Sequence, residues 1–150
     1  LAFQYIGNRG LTYRLVAGGF AGEPGDRGFA MARYKMDGTL DTSFSTDGKV
    51  KLNLSYQHDY ITALHIDADR KIVAAGPRKW NGTYDFAAVR FTPDGALDTG
   101  FGIQGKVITQ FFYQGDHLSA MPNSVDLAPD GKIVVAGSGS DGGLLARYEP

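Results

Sequence analysis

The chain has 150 residues, with 15 Lys and Arg against 16 Asp and Glu and a formal charge of −1. That balance lacks the basic stripe of a nucleic-acid footprint, zero cysteines exclude disulfides and thiolate metal sites, and no run reaches the ~18 apolar residues of a membrane-spanning helix. Glycine, at 21 residues, is about twice its usual share, which points to many turns and an all-β chain.

Taken in order, Ala2–Ile6 alternates apolar and polar residues and reads as a strand, stopped by a turn at Gly7-Asn8-Arg9-Gly10. Leu11–Phe20 is a second strand, Ala21–Gly28 a loop and Phe29–Tyr34 a third strand. Leu40–Gly48 is a compact connection to a fourth strand, Lys49–Leu54. The order then restarts. Tyr60–Ile66 is a strand, Asp67–Arg70 a turn, Lys71–Gly76 a strand, Pro77–Thr83 a loop, Tyr84–Phe91 a strand and Gly105–Phe112 the fourth of this unit. A third unit holds Ser124–Leu127, an Asp130-Gly131 turn, Lys132–Gly137 and Leu144–Tyr148.

The restart is a true repeat. Asp37, Gly38, Leu40, Asp41, Phe44, Gly48, Lys49 and Val50 each recur 57 positions later, as Asp94 through Val107. Arg33, Arg90 and Arg147 are spaced 57 and 57, and Gly18, Gly76 and Gly137 are spaced 58 and 61. A fixed period with length changes confined to loops marks a repeat architecture. The predicted units are approximately 1–57, 58–115 and 116–150, the last incomplete, within one repeat domain. Four short strands per unit fit a propeller blade. Phe86–Phe91 and Lys132–Gly137 are apolar on both alternating faces, as in strands buried on both sides. A two-sheet sandwich would leave the period unexplained. The expected fold is all-β: a β-propeller-type tandem repeat of about two and a half four-stranded antiparallel blades. So few blades do not close a ring of typically 4–8. Leu1 opens the chain and the last unit stops before its fourth strand, so a piece of a longer propeller, or copies that complete one another, is expected.

The pattern DGxLDxxF, then GK-V, then DGKIVVAG, then ARY stands at Asp37–Phe44 and Asp94–Phe101, at Gly48–Val50 and Gly105–Val107, at Asp130–Gly137, and at Ala32–Tyr34 and Ala146–Tyr148. It resembles the bacterial delta-60 repeat over almost the whole chain. The resemblance implies a β-propeller and a secreted or cell-surface setting in a bacterium. It carries no agreed activity, so no functional residue transfers. The chain departs from the pattern at Asp69-Arg70-Lys71, where Arg replaces Gly, and in the individual loop Asn81–Tyr84.

Residues that recur build the blade; residues that do not are free for function. The recurring Asp37, Asp41, Asp94 and Asp98 are expected to cap turns, and their spacing does not match a calcium loop. The recurring arginines are expected to pair with recurring aspartates. One face of the disc collects the variable segments Ser55–Tyr60, Pro77–Thr83 and Tyr113–Asn123. The candidate ligand-binding residues there are Trp80, Tyr84, Tyr56, His58, Asp59, Tyr113, Asp116 and His117. Aromatic rings beside acids and amides suit sugars, whose C–H faces stack on rings. Trp80 alternatively packs across a blade boundary, and Tyr56/Tyr113 and Asp59/Asp116 recur and so are partly structural. His58, His65 and His117 lack metal-ligand spacing, His65 reads as a core or half-exposed strand residue, and no cofactor is expected. No nucleophile elbow, P-loop or HExxH is present, and the inner strands offer only His65 and Asp126 for chemistry.

The sequence therefore points to a non-enzymatic extracellular or cell-surface binding or adhesion module. Its partner is expected to be a protein or a glycan, besides other blades of the same protein or further copies of the chain, with no nucleic acid and no membrane span. The alternative is a purely structural repeat in a large extracellular assembly or filament.

Overall fold

The computed structural model describes residues 1–7, 12–55 and 57–150. The expected turn at Gly7–Gly10, the first residue of the Leu11–Phe20 strand and Tyr56 fall wholly or partly outside the described residues. Thirteen strands and no helix are found among those described. β1 (Ala2–Tyr5), β2 (Tyr13–Ala21), β3 (Gly28–Tyr34) and β4 (Lys49–Leu52) form one antiparallel sheet in chain order. β5 (Ala63–Ile66), β6 (Ile72–Trp80), β7 (Thr83–Phe91) and β8 (Lys106–Thr109) form the second. A short hairpin, β9 (Phe111–Tyr113) and β10 (Asp116–Leu118), leads to a three-stranded sheet of β11 (Ala120–Leu127), β12 (Ile133–Gly139) and β13 (Gly142–Tyr148). The first strand of each unit lies beside that of the next, β1 beside β5 and β5 beside β11, as the inner strands of a radial array do. The all-β, partial-propeller reading holds.

Two cores fill the seams between blades. Val16, Phe29, Met31 and Phe44 meet Ile72, Ala74, Ala87, Val89 and Phe91 in the first seam. Val73, Ala75, Phe86, Ala88 and Phe101 meet Val125, Ile133 and Val135 in the second. Successive residues of β6 thus enter opposite cores, which is why that strand is apolar on both faces.

The repeated motif makes the seam. Asp41 accepts the amide of Ser43 on Oδ1 (3.2 Å) and the guanidinium of Arg33 on Oδ2 (3.0 Å). Asp98 does the same with the Gly100 amide (3.2 Å) and Arg90 (2.8 Å). Arg33 and Arg90 lie over the rings of Phe44 and Phe101 at 4.7 and 5.0 Å. Phe44 crosses to the next blade and covers the Asp94-Gly95 turn. There Gly95 has φ +89°, and an added Cβ would stand 2.7 Å from the Phe44 ring. Arg147 pairs with Asp130, in an exposed contact.

Three expectations change. Pro77–Thr83 is not a loop: β6 runs to Trp80 and turns through Asn81-Gly82, with φ of 49° and 89°. That is the left-handed pair a two-residue hairpin turn needs and Asn-Gly supplies. Tyr113–Asn123 is likewise hairpin and strand, turned at Gln114-Gly115 (φ 52° and 95°). The glycine landmark of the first unit is Gly19, not Gly18. Gly19 stands opposite Ala30 as Gly76 stands opposite Ala87 and Gly137 opposite Leu144, so the 57-residue period holds through β2 and β6. At Gly76 and Gly137 the requirement for glycine is close approach. A Cβ at Gly76 would lie 1.8 Å from the Tyr60 carbonyl oxygen, and one at Gly137 would lie 2.1 Å from that of Met121.

Arg33→Ala leaves the buried Asp41 with only Arg14 and Ser43 and takes the donor from Gln4 and the Pro93 carbonyl, and is expected to remove about 3 kcal/mol of stability. Arg147→Ala breaks only an exposed pair and is expected to remove less than about 1 kcal/mol. Denaturant midpoints of the two variants check this contrast. Burial alone would raise the Asp41 carboxyl, but hydrogen bonds from Ser43 and Arg14 and the Arg33 charge hold it at about 2. A lowered carboxyl stabilises the fold above its unfolded pKa near 3.8 and loses that contribution as pH falls through 2. Unfolding free energy measured from pH 5 to pH 2 is expected to fall by about 2 kcal/mol more in the parent than in Asp41→Asn.

Candidate functional site

Each β2–β3 or β6–β7 turn meets the crossover that follows its blade. The crossover from β4 to β5, residues 53–62, is clamped on both sides. The Asp59 amide donates to the Arg27 carbonyl (3.1 Å) and the Ile61 amide to that of Gly19 (2.9 Å), which ties the crossover to the first blade. The Thr62 amide donates to the Ala75 carbonyl (2.9 Å) and the Lys79 amide to Asp59 Oδ1 (3.2 Å), which ties it to the second. Asp59 is fully buried; its carboxylate also accepts the amides of Leu54 (2.9 Å) and Ser55 (2.8 Å) and the Ser55 hydroxyl. It shapes the crossover from inside and presents no oxygen to a ligand.

The clamp sets His58 and Tyr60 into the upper end of the first seam. There they meet Phe20 and Arg27 of the first blade and Lys79 and Tyr84 of the second, around a cleft of about 420 Å³. That volume lies in the ~300–1,000 Å³ range of small-molecule sites. Arg27 lies 4.5 Å over the Phe20 ring, and the Lys79 ammonium 5.7 Å over the Tyr84 ring. Burial, with Tyr84 adding to it, pushes the Tyr60 hydroxyl above its ordinary pKa. Tyr60 therefore stays a neutral donor at physiological pH.

The expected site residues separate into groups. His58 and Tyr84 line this cleft. His117 belongs to a neighbouring joint, where Nε2 meets the buried Asp85 carboxylate (2.7 Å) and Nδ1 meets Thr83 Oγ1 (3.0 Å). Phe112 stacks on its ring at 5.2 Å. Thr83–His117–Asp85 has the order of a nucleophile–base–acid relay. Two contacts make it a joint instead: the Thr83 hydroxyl donates to the Trp80 carbonyl (3.0 Å), and Arg78 takes the other Asp85 oxygen (3.1 Å). Trp80 is 43 % exposed at the hairpin tip, with the Arg78 guanidinium 4.6 Å from its ring. Tyr113 and Asp116 are exposed partners on the β9–β10 hairpin. Tyr56 lies outside the described residues. His65, half-exposed on β5, meets Asp126 of β11 at 3.1 Å. Among the described residues no three His, Asp or Glu side chains converge as a metal site.

A family model described as a domain of unknown function (DUF5122) beta-propeller matches residues 14–44, 68–101 and 128–150. The chain belongs to the DUF5122 β-propeller family. No curated protein matches it. The first DUF5122 segment starts in β2 and the second in the turn before β6, and each ends at the phenylalanine that crosses the seam, Phe44 or Phe101; the third covers β12 and β13. The crossover carrying His58 and Tyr60 lies between segments.

Phe20, Arg27, Tyr60 and Lys79 were not among the expected ligand residues, yet a signal for them was present. At 57 positions on, Phe20 becomes Pro77, Arg27 becomes Tyr84, His58 becomes Gly115 and Tyr60 becomes His117. The cleft is built from residues the repeat does not keep.

Asp59→Ala removes the acceptor for four donors at once. It is expected to destabilise the chain by more than about 3 kcal/mol, against less than about 0.5 kcal/mol for the exposed Asp116→Ala. Thermal or denaturant unfolding of both variants checks this.

Proposed function

We propose that this DUF5122 chain is part of a non-enzymatic propeller that recognises a partner, protein or glycan, through the first-seam cleft. The resemblance to the delta-60 repeat supports a secreted or cell-surface setting in a bacterium, where adhesion is the natural use. The observation that carries the reading is the contrast within the seam. Repeating residues form the core, and non-repeating aromatic and polar residues form a cleft held open by a doubly clamped crossover. A rigid scaffold presenting variable segments is the usual arrangement for binding, and preorganisation lowers the ordering cost on association. Of the two partner classes the glycan fits better, because Tyr60, Tyr84 and Phe20 offer ring faces with hydroxyl and imidazole groups between them.

The structural-repeat reading draws on the open blade faces. Phe3, Leu15, Tyr34 and Met36 line an apolar hollow of about 470 Å³ on the first blade, and Leu145 on the last is 64 % exposed. A Cβ at Gly19 meets nothing within 4 Å, where Gly76 faces a backbone carbonyl. A further blade, or another copy, fits there.

The experiment is an array of neutral and acidic oligosaccharides probed with the 150-residue chain and with Tyr84→Ala. Binding by the parent that drops at least tenfold in the variant is expected. Equal binding by both removes the cleft from function; no binding by the parent removes the glycan and leaves a protein partner or the structural reading.

A further inference from the structure

Two cations without an acid partner line the same cleft; Lys35, Lys49, Arg70 and Lys106 also reach no carboxylate among the described residues, but they lie elsewhere. Arg14, Arg33, Arg78, Arg90, Lys51 and Lys71 each reach a carboxylate within 3.1 Å. Among the described residues, Arg27 and Lys79 reach none. No acid lines the cleft, and the nearest, Asp59, already serves four donors inside the crossover. Two permanent positive charges therefore face one cleft in a chain whose formal charge is −1.

Both cations are held by aromatic faces rather than by acids. The contact of Arg27 with Phe20 and of Lys79 with Tyr84 fixes each group through the ring quadrupole. Such a contact uses the face of the cation and leaves its N–H donors to others. Arg27 Nε is closed off from solvent and has no acceptor among the described residues. A guanidinium so placed is stabilised by an anion on the part of it that lines the cleft. The cleft is also much larger than a single inorganic anion, and the Tyr60 hydroxyl that lines it adds a donor for a neutral oxygen.

We infer that the cleft takes an acidic sugar, its carboxylate held between Arg27 and Lys79 and its ring laid against Tyr60 and Tyr84. The inference rests on the binding reading above and narrows it to one ligand class. His58, fixed by its backbone bridge to Arg27, supplies a further polar contact to the ring substituents.

Calorimetric titration of the 150-residue chain with trigalacturonate, the neutral galactose trimer and inorganic phosphate tests it. Trigalacturonate is expected to bind at least tenfold more tightly than either of the other two. Its affinity is expected to fall as salt is raised from about 50 to about 300 mM, as screening requires. Arg27→Gln and Lys79→Gln are each expected to weaken trigalacturonate at least tenfold with unchanged denaturation midpoints, and to leave the neutral trimer unaffected. Equal affinity for the neutral trimer overturns the acidic assignment while the binding reading stands. Phosphate binding as tightly as trigalacturonate overturns the role of the ring. Binding of neither sugar overturns this inference, and the oligosaccharide array with Tyr84→Ala then decides the binding reading separately.

Discussion

The guanidinium of Arg33 is the contact on which the first seam depends. Its Nε meets Asp41 (3.0 Å), its Nη1 meets Gln4 Oε1 (2.9 Å) and the Pro93 carbonyl of the next blade (2.8 Å), and its Nη2 meets the Ser43 hydroxyl (3.1 Å). Gln4, fully buried on the inner strand, donates in turn to the Arg70 carbonyl (2.8 Å). Burial pushes the Arg33 pKa down and the Asp41 charge opposes that shift; the group stays ionised because every direction from it is answered. One side chain thus joins the inner strand, the third strand and the seam-crossing turn of its own blade to the turn of the next. A buried charge is tolerated only when so completely paired, and that demand explains why Arg and Asp return together every 57 residues.

With the blades fixed this way, the rest follows from packing. Phe44 is carried across the seam by the turn that Asp41 caps, and Gly95 must be glycine because Phe44 lies on it. The crossover then lies against two blades whose separation is already set. Its buried Asp59 converts backbone amides that would otherwise lack partners into a closed loop. The cleft is what remains where that loop rides over the seam. Its walls come from both blades, so its shape depends on the seam, while its chemistry depends on residues the seam does not need.

The fold was legible because its signals are periodic. Asp37–Val50 and Asp94–Val107 repeat in register, β6 and β7 are apolar on both faces, and the Arg–Asp spacing announced an ion pair. The two turns at Asn81-Gly82 and Gln114-Gly115 were harder to read. Long polar strands look like loops when they extend past the core, as Arg78–Trp80 does, and only the Asn-Gly dipeptide marks the hairpin. The site was half legible. His58 and Tyr84 belonged to the variable face by sequence, but Arg27 and Lys79 look like ordinary surface charges until the structure brings both to one cleft. Asp59 looked like a ligand because it is polar and lies among aromatics. Its burial and four donors are tertiary facts that no local pattern encodes.

The central claim is that the crossover is held rigidly between two blades, so that the cleft exists before any ligand arrives. Amide hydrogen exchange on the free chain measures this directly. The amides of Leu54, Ser55, Asp59 and Ile61 should exchange as slowly as those of β6 and β7 in the core, because each has a named acceptor. Exchange at the rate of an exposed loop, such as Gly22–Gly25, would contradict the account: the crossover would then be open in solution and the cleft would not be preformed.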